Sequence, residues 1–259
     1  MRVLTMGDCG RQGVQITAII PARMGSTRLP GKPLLDLCGK PIIQWVYERA
    51  CAAGCFREVL VASPDQEIVR AVEAFGGTAI ITSSEHRSGT DRLAEVCRKT
   101  TTGEIIVNVQ GDEPLVDPAS VAQLAAALAA DSSIEMGSLM RPLDKSDDPD
   151  DPNLVKVVVD KDNFALYFSR SRIPYPRSVD RNTRTLGHIG LYAYQRDFLL
   201  RFASMPPTML EMAESLEQLR ALESGCKIKM VETTAKPVGV DTPEDLERVR
   251  AIVAGGGAK

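Results

Sequence analysis

Short apolar runs alternate with segments of helical period along the first half of this 259-residue chain. The runs at 16–20, 58–62, 78–82 and 105–109 are four to six residues of Ile, Val, Leu, Ala and Thr, the length and composition of buried strands. Between them, 41–53, 65–75, 90–98 and 118–130 carry helical spacing, and VAQLAAALAA in the last has high helix propensity throughout. Strand–helix alternation of this kind folds as a mostly parallel sheet covered by helices on both faces. The pattern then changes. Strands are expected at 134–141, 155–160, 164–169 and 188–194, with an Asp- and Pro-rich loop at 143–152 and a basic, aperiodic tract at 171–186. This half reads as antiparallel or mixed, a subdomain packed on the first. Helices are expected at 197–203 and 210–223, then a strand at 227–231. A last helix starts at Thr242, with Thr242 as N-cap, Pro243 as first helical residue and Asp245 as the capping-box acid. The fold class is therefore α/β: a mixed, mostly parallel central sheet flanked by helices, with an inserted smaller lobe over roughly 155–195. Residues 16–254 form one domain. Residues 1–15 lack the apolar core of a signal peptide and read as a loose, disordered polar extension.

The first strand opens into Pro21-Ala22-Arg23-Met24-Gly25-Ser26-Thr27-Arg28-Leu29-Pro30-Gly31-Lys32-Pro33. The loop carries three cations and no acid before Asp36. Arg and Lys neutralise phosphate oxygens, and the carboxyl end of a strand in an open α/β sheet is where nucleotides lie. Net charge is −3, so anion attraction must be local to such a loop, with no general pull toward nucleic acid or a membrane surface. No apolar stretch is long enough to span a bilayer. The six cysteines form no CxxC pair, and reduced thiols in a cytoplasmic protein are the expectation.

A second stretch, Gln110-Gly111-Asp112-Glu113-Pro114, ends a buried strand at the same sheet edge. Asp112 beside a polyphosphate loop is placed to hold Mg²⁺, a hard cation that takes oxygen ligands; a turn or helix-cap acid is the alternative. Glu113 reads as a structural acid. A single carboxylate holds Mg²⁺ weakly. Asp241 is a second candidate, although spacing alone does not favour it over Asp160 or Asp91. His188 and Tyr192 are four apart on one strand and share a face, yet a lone histidine there is commonly structural. Glu217 is equally a solvated helix acid. No Ser-His-Asp order and no GxSxG is present, which suits a reaction whose substrate brings the nucleophile.

These segments resemble the 3-deoxy-manno-octulosonate cytidylyltransferase (CMP-Kdo synthetase) family. The likeness runs through IIPAR-x-x-STRLPGKPL, HRSGTDRLAEV, VNVQGDEP, DPNLVKVVVD, ALYFSRSRIPYPR, GHIGLYAY, ESLEQLR and GVDTPEDLERVR, from about residue 16 to 250. It implies a nucleotide-diphospho-sugar-transferase-like fold and a Mg²⁺-dependent reaction. CTP and Kdo would give CMP-Kdo and pyrophosphate, activating Kdo for lipopolysaccharide. By resemblance, Arg23, Ser26, Arg28 and Lys32 would bind the triphosphate. Ser88, Gly89, Thr90 and Arg92 would lie around the cytidine. Asp112 and Asp241 would hold the metal, and Lys32, Arg28, Asp112 and Asp241 would carry catalysis. Gln110, Arg170, His188, Tyr192, Glu217 and Gln218 would line the sugar-acid pocket, and a homodimer would form through the inserted lobe. The chain departs from the family pattern at Gly187, where many members carry Arg, at Arg87, where Gln is usual, and in a short tract at 178–185. The rival readings are another sugar-acid cytidylyltransferase, for sialic acid or 8-amino-Kdo, and a non-catalytic nucleotide-binding protein that kept the fold. A further rival is a nucleotide-sugar-dependent glycosyltransferase. It would call for an Asp-x-Asp after a strand, and Asp148-Pro149-Asp150 lies in a polar loop.

Overall fold

The computed structural model describes residues 13–25, 28–86, 88–177 and 184–256. The expected extension thus lies outside the described residues as far as residue 12, and so do Ser26, Arg87 and most of the 178–185 tract.

The first half alternates as its sequence dictates. Strand β1 (Ile16–Pro21) leads through a two-stranded ribbon, β2 (Asp36–Leu37) and β3 (Lys40–Pro41), into helix α1 (Ile42–Ala52). Then follow β4 (Glu58–Ser63), α2 (Gln66–Ala74), β5 (Thr78–Ile81), α3 (Gly89–Lys99), β6 (Ile105–Asn108) and α4 (Pro118–Ala130). Strands β6, β1, β4 and β5 pair in parallel, in that order. Period-2 alternation splits β1 between two cores. Ile16, Ala18 and Ile20 pack with α1 and α4 residues such as Val46 and Leu124, and Ile19 packs with Leu93 and Val96 of α3 on the opposite face.

The second half extends the same sheet. It contributes β7 (Met136–Pro142), β8 (Lys156–Val159), β9 (Ala165–Ser169), β10 (Leu186–Gln195), α5 (Arg196–Ala203), α6 (Met209–Glu214), α7 (Gln218–Glu223), β11 (Ile228–Glu232) and α8 (Pro243–Ala254). The order is β11-β7-β10-β6-β1-β4-β5, with β8 and β9 paired off the side of β10. Strand β10 runs antiparallel to both β6 and β7, while β11 is parallel to β7. The 155–195 segment therefore divides: β8 and β9 stand off the main path, and β10 lies in the middle of it. One reversed strand has a chemical consequence. The start of β10, with His188, arrives at the carboxyl edge of the parallel strands, where all their loops emerge.

One helix differs from its expected form. The 210–223 segment breaks at Ser215, which adopts φ 51°, so α6 and α7 are separate. Arg220 of α7 folds back on α6 and pairs with Glu211 at 2.5 Å.

Candidate active site

Three loops at the carboxyl edge of the sheet build one cavity of about 360 Å³. The loop after β1 supplies Arg23, Arg28 and Lys32, the loop after β6 supplies Gln110, Gly111 and Asp112, and the segment before α8 supplies Asp241. Their convergence rests on close packing and hydrogen bonds. Gly111 sits so close to β1 that a Cβ there would stand 2.5 Å from the Pro21 carbonyl oxygen, which leaves glycine as the residue that fits. The Val240 N–H donates to the Asp112 carbonyl at 2.9 Å and docks the last crossover on that turn. The expected capping box of α8 is present. The Asp245 carboxylate accepts from the N–H groups of Thr242 and Asp241, both at 3.1 Å, and so fixes Asp241 at the helix entrance.

Lys32 is the centre of the charge pattern. Its Nζ donates to Asp112 Oδ2 at 2.8 Å and to Asp241 Oδ1 at 3.0 Å. Arg28 Nη2 stands 3.2 Å from Asp241 Oδ2. Burial draws the Lys32 ammonium pKa down, but the two carboxylates outweigh it and hold it above the ordinary lysine value. Beside them, burial and then the Asp112 charge push the Glu113 carboxyl up to about 7. Four cations, Arg23, Arg28, Lys32 and Arg92, face two carboxylates in the cavity wall, so a protein of net charge −3 has a positive local field there.

Helix α3 forms the opposite wall. Ser88 is its N-cap: its hydroxyl accepts from the Asp91 N–H at 3.1 Å, and the Asp91 carboxylate accepts from the Ser88 N–H at 3.3 Å. Gly89 and Arg92 line the cavity with it. Arg92 is buried and donates to the Ser83 carbonyl at 3.0 Å and to Thr82 Oγ1.

A family model for cytidylyltransferases matches residues 17–228. The chain is 51% identical to the 3-deoxy-manno-octulosonate cytidylyltransferase of Geobacter sulfurreducens, over 91% of this chain and 98% of the relative. It is 48% identical to that of Synechococcus elongatus, over 92% and 98%. The chain belongs to the 3-deoxy-manno-octulosonate cytidylyltransferase family. A solved CMP:2-keto-3-deoxy-manno-octonic acid synthetase in complex with CTP superposes with a TM-score of 0.89 at 47% identity, over 93% of this chain and 99% of that one. The 4-diphosphocytidyl-2C-methyl-D-erythritol synthase of Anaerococcus prevotii, with a TM-score of 0.63 at 12% identity over 94% and 100%, shares the fold alone.

Of the other residues that the cytidylyltransferase resemblance singled out, Gln110 is in the cavity wall, and Thr90, Arg170, His188, Tyr192, Glu217 and Gln218 are not. Thr90 is buried and donates to Glu217 Oε2 at 2.6 Å, which ties the start of α3 to α7. Glu217 also stands 3.3 Å from Arg220. Gln218 is buried with its Nε2 unpaired in the protein. Gln110 lines the cavity, and its Nε2 donates at 3.0 Å to the Gly190 carbonyl, which a β-bulge between Ile189 and Tyr192 takes off the ladder. The bulge brings the His188 and Tyr192 rings to 5.5 Å. Arg170 sits at the end of β9, with its guanidinium on three carbonyls, Glu214 at 2.7 Å, Pro152 at 2.9 Å and Ser215 at 3.3 Å. The buried Lys156 supports it from behind, donating to the Arg170 carbonyl at 2.5 Å. At Gly187 a Cβ would meet Leu143 Cδ2 at 2.7 Å, so the glycine that departs from the family pattern is packed beneath a leucine.

Sequence reasoning missed Asp65 and His86. The Asp65 carboxylate accepts from the Met24 N–H at 2.7 Å and anchors the cationic loop from β4. His86 lines the cavity. Neither carried a local signal: one follows a Ser-Pro turn and the other is a lone histidine.

His188 gives the fold a pH dependence. Its Nε2 is 2.8 Å from the buried Ser138 Oγ, and burial depresses its pKa to about 3. Above about pH 6.5 the ring is neutral in folded and unfolded chains, and its contribution is fully present. Below that, the unfolded chain takes up the proton first, and stability falls until the folded ring titrates near 3. Between pH 7 and pH 5 this group should cost the wild type about 2 kcal/mol of unfolding free energy. Urea titrations at the two pH values should show that difference shrinking in His188→Gln; an unchanged difference would refute it.

Proposed function

We propose that this chain transfers CMP from CTP to the anomeric hydroxyl of 3-deoxy-D-manno-octulosonate. The observation that carries the reading is the meeting of Arg28, Lys32, Asp112 and Asp241 at one sheet edge, in a chain about half identical to named synthetases. The anomeric oxygen forms a bond to the α-phosphorus, the α–β phosphoanhydride bond breaks, and pyrophosphate leaves with the electron pair as the hydroxyl proton is lost. Arg23, Arg28 and Lys32 bind and orient the triphosphate and neutralise charge on the departing pyrophosphate. Ser26, in the same loop, would join them. Both substrates are anions, so the cationic wall offsets their mutual repulsion.

Mg²⁺ fits the donor set. Asp112 Oδ2 and Asp241 Oδ1 converge on one cationic point, occupied here by Lys32 Nζ. Among the described residues no cluster of three or more His, Cys, Asp or Glu could hold a metal. Two carboxylates suit Mg²⁺, which completes its shell with phosphate oxygens and water. When bound it would supply Lewis-acid polarisation of the α-phosphate and a lowered pKa at the attacking hydroxyl. Gln110, Arg170, His188, Tyr192, Glu217 and Gln218 surround the sugar-acid side.

The product would feed lipopolysaccharide, and the setting would be the cytoplasm; among the described residues no helix is long and apolar enough to cross a membrane. A homodimer is supported by exposed Leu166 on β9 and exposed Met209 and Met212 on α6, elements joined by the 2.7 Å bond from Ser169 to Glu214.

Pyrophosphate release from CTP and Mg²⁺ tests the reading, with Kdo, its 8-amino analogue and N-acetylneuraminate compared side by side. Release with Kdo that stops on adding EDTA is the expected result. Release with the 8-amino sugar alone would move the substrate and leave the chemistry. Folded protein that releases none with any of the three would overturn it.

A further inference from the structure

Helix α3 turns one row of side chains, Arg92, Glu95 and Lys99, toward the strand-to-helix loop that precedes it. Glu95 is the hub. Its Oε2 accepts from the Ser83 N–H at 2.9 Å and contacts His86 Nε2, and its Oε1 pairs with Lys99 Nζ at 2.5 Å. Glu95 does not line the cavity; His86 does. The carboxylate therefore reaches the site through the imidazole, and less directly through Ser83, whose carbonyl accepts from Arg92.

We propose that Glu95 is a positioning residue for nucleotide selection, holding His86 so that its Nδ1 accepts the exocyclic amino group of cytosine. The proposal rests on the cytidylyltransferase reading of the cavity. With Nε2 against a carboxylate oxygen, a neutral imidazole carries its proton on Nε2, and Nδ1 is left as a lone-pair acceptor. Glu95 stays ionised to do this: burial raises its pKa, but Lys99, the Ser83 N–H and His86 outweigh that and hold it at about 2. The remaining wall is short of other acceptors. Arg23, Arg28, Lys32 and Arg92 are donors without acceptor capacity. Asp112 and Asp241 are engaged by Lys32 at the phosphate end, and one lone pair of Ser88 Oγ accepts from the Asp91 N–H. Among the described residues of the wall, His86 offers a ring nitrogen as acceptor on the α3 side, and Gln110 offers its Oε1 on the β6 side. Cytosine offers the imidazole an amino group, whereas uracil sets an oxo oxygen against the same lone pair. A site built to accept a hydrogen bond rejects the base that cannot donate one.

The test compares CTP and UTP in wild type, Glu95→Gln and His86→Ala, with imidazole ¹⁵N spectra of the wild type. The chain has two histidines, so His188 supplies the one other signal. The expected spectra place the proton on Nε2 of His86 and show Nδ1 shifting when CTP is added. His86→Ala should raise the KM for CTP about tenfold, as loss of one hydrogen bond does, and reduce the CTP-over-UTP preference in kcat/KM by the same factor. Glu95→Gln should move both in the same direction, with the KM for the sugar acid shifting far less. A purely structural role would weaken CTP and UTP alike, and an unmoved CTP:UTP ratio in His86→Ala overturns the proposal. So does an Nδ1 signal that ignores CTP, a measurement that needs no variant. Wild-type protein that turns over no CTP would instead sink the cytidylyltransferase reading itself.

Discussion

Asp112→Asn and Asp241→Asn should each lower turnover by about 10³-fold, with the folded structure retained. The carboxylates are 37% and 46% exposed, and asparagine keeps their shape, so little packing is lost. What is lost is charge at the one point where two carboxylate oxygens converge. Each variant keeps a single anionic ligand, too weak to draw Mg²⁺ to the α-phosphate. Steady-state pyrophosphate release, read beside a thermal melt, separates the two effects. Turnover within tenfold of wild type in either variant would remove that residue from the metal site. A collapsed melting temperature would show it to be structural.

Lys32→Met should produce two opposite changes. Turnover should fall by about 10²- to 10³-fold, because the ammonium proposed to meet the triphosphate is gone. Metal binding without nucleotide should rise, because Lys32 now sits between the two carboxylates and neutralises both. Once it is removed, two like charges face each other with only Arg28 still on Asp241, and a divalent cation relieves the repulsion. A ligand that binds the folded state raises the melting temperature, and more so the further its concentration exceeds its Kd. MgCl₂ should therefore stabilise Lys32→Met more than the wild type. Equal stabilisation of both would mean that Lys32 does not compete for the metal position.

The sheet and most helices were legible because their causes are local. A buried strand needs a short apolar run, and a capping box needs Thr242 and Asp245 three residues apart. The break at Ser215 was not legible. No Gly or Pro marks it, and the interactions seen there, Arg220 on Glu211 and Glu217 on Thr90, are made after the helices have folded back. The position of β10 was likewise hidden: its alternation shows a strand but not its neighbours or direction. In the site, the cationic loop and Asp112 followed from residue type and the expected sheet edge. Asp241 did not, since the Lys32–Asp241 contact joins residues 209 apart and spacing carries no trace of it. Only the likeness to a family pointed there. Thr90 and Arg92, which the likeness alone singled out, are both buried and bonded to the protein, and Arg92 also lines the cavity.

The reversed strand β10 also governs the order in which the molecule can be assembled on the ribosome. Residues 186–195 lie between β6 and β7, so β7 has no seat in the sheet until they have emerged, although it is made some fifty residues earlier. Strand β6 and the three beyond it, β1, β4 and β5, need no such wait. A nascent chain thus exposes one edge of a half-finished sheet for much of its synthesis, a template for unwanted pairing. Asp241 leaves the tunnel later still, so every shorter nascent length holds the cationic loop without that carboxylate beside it.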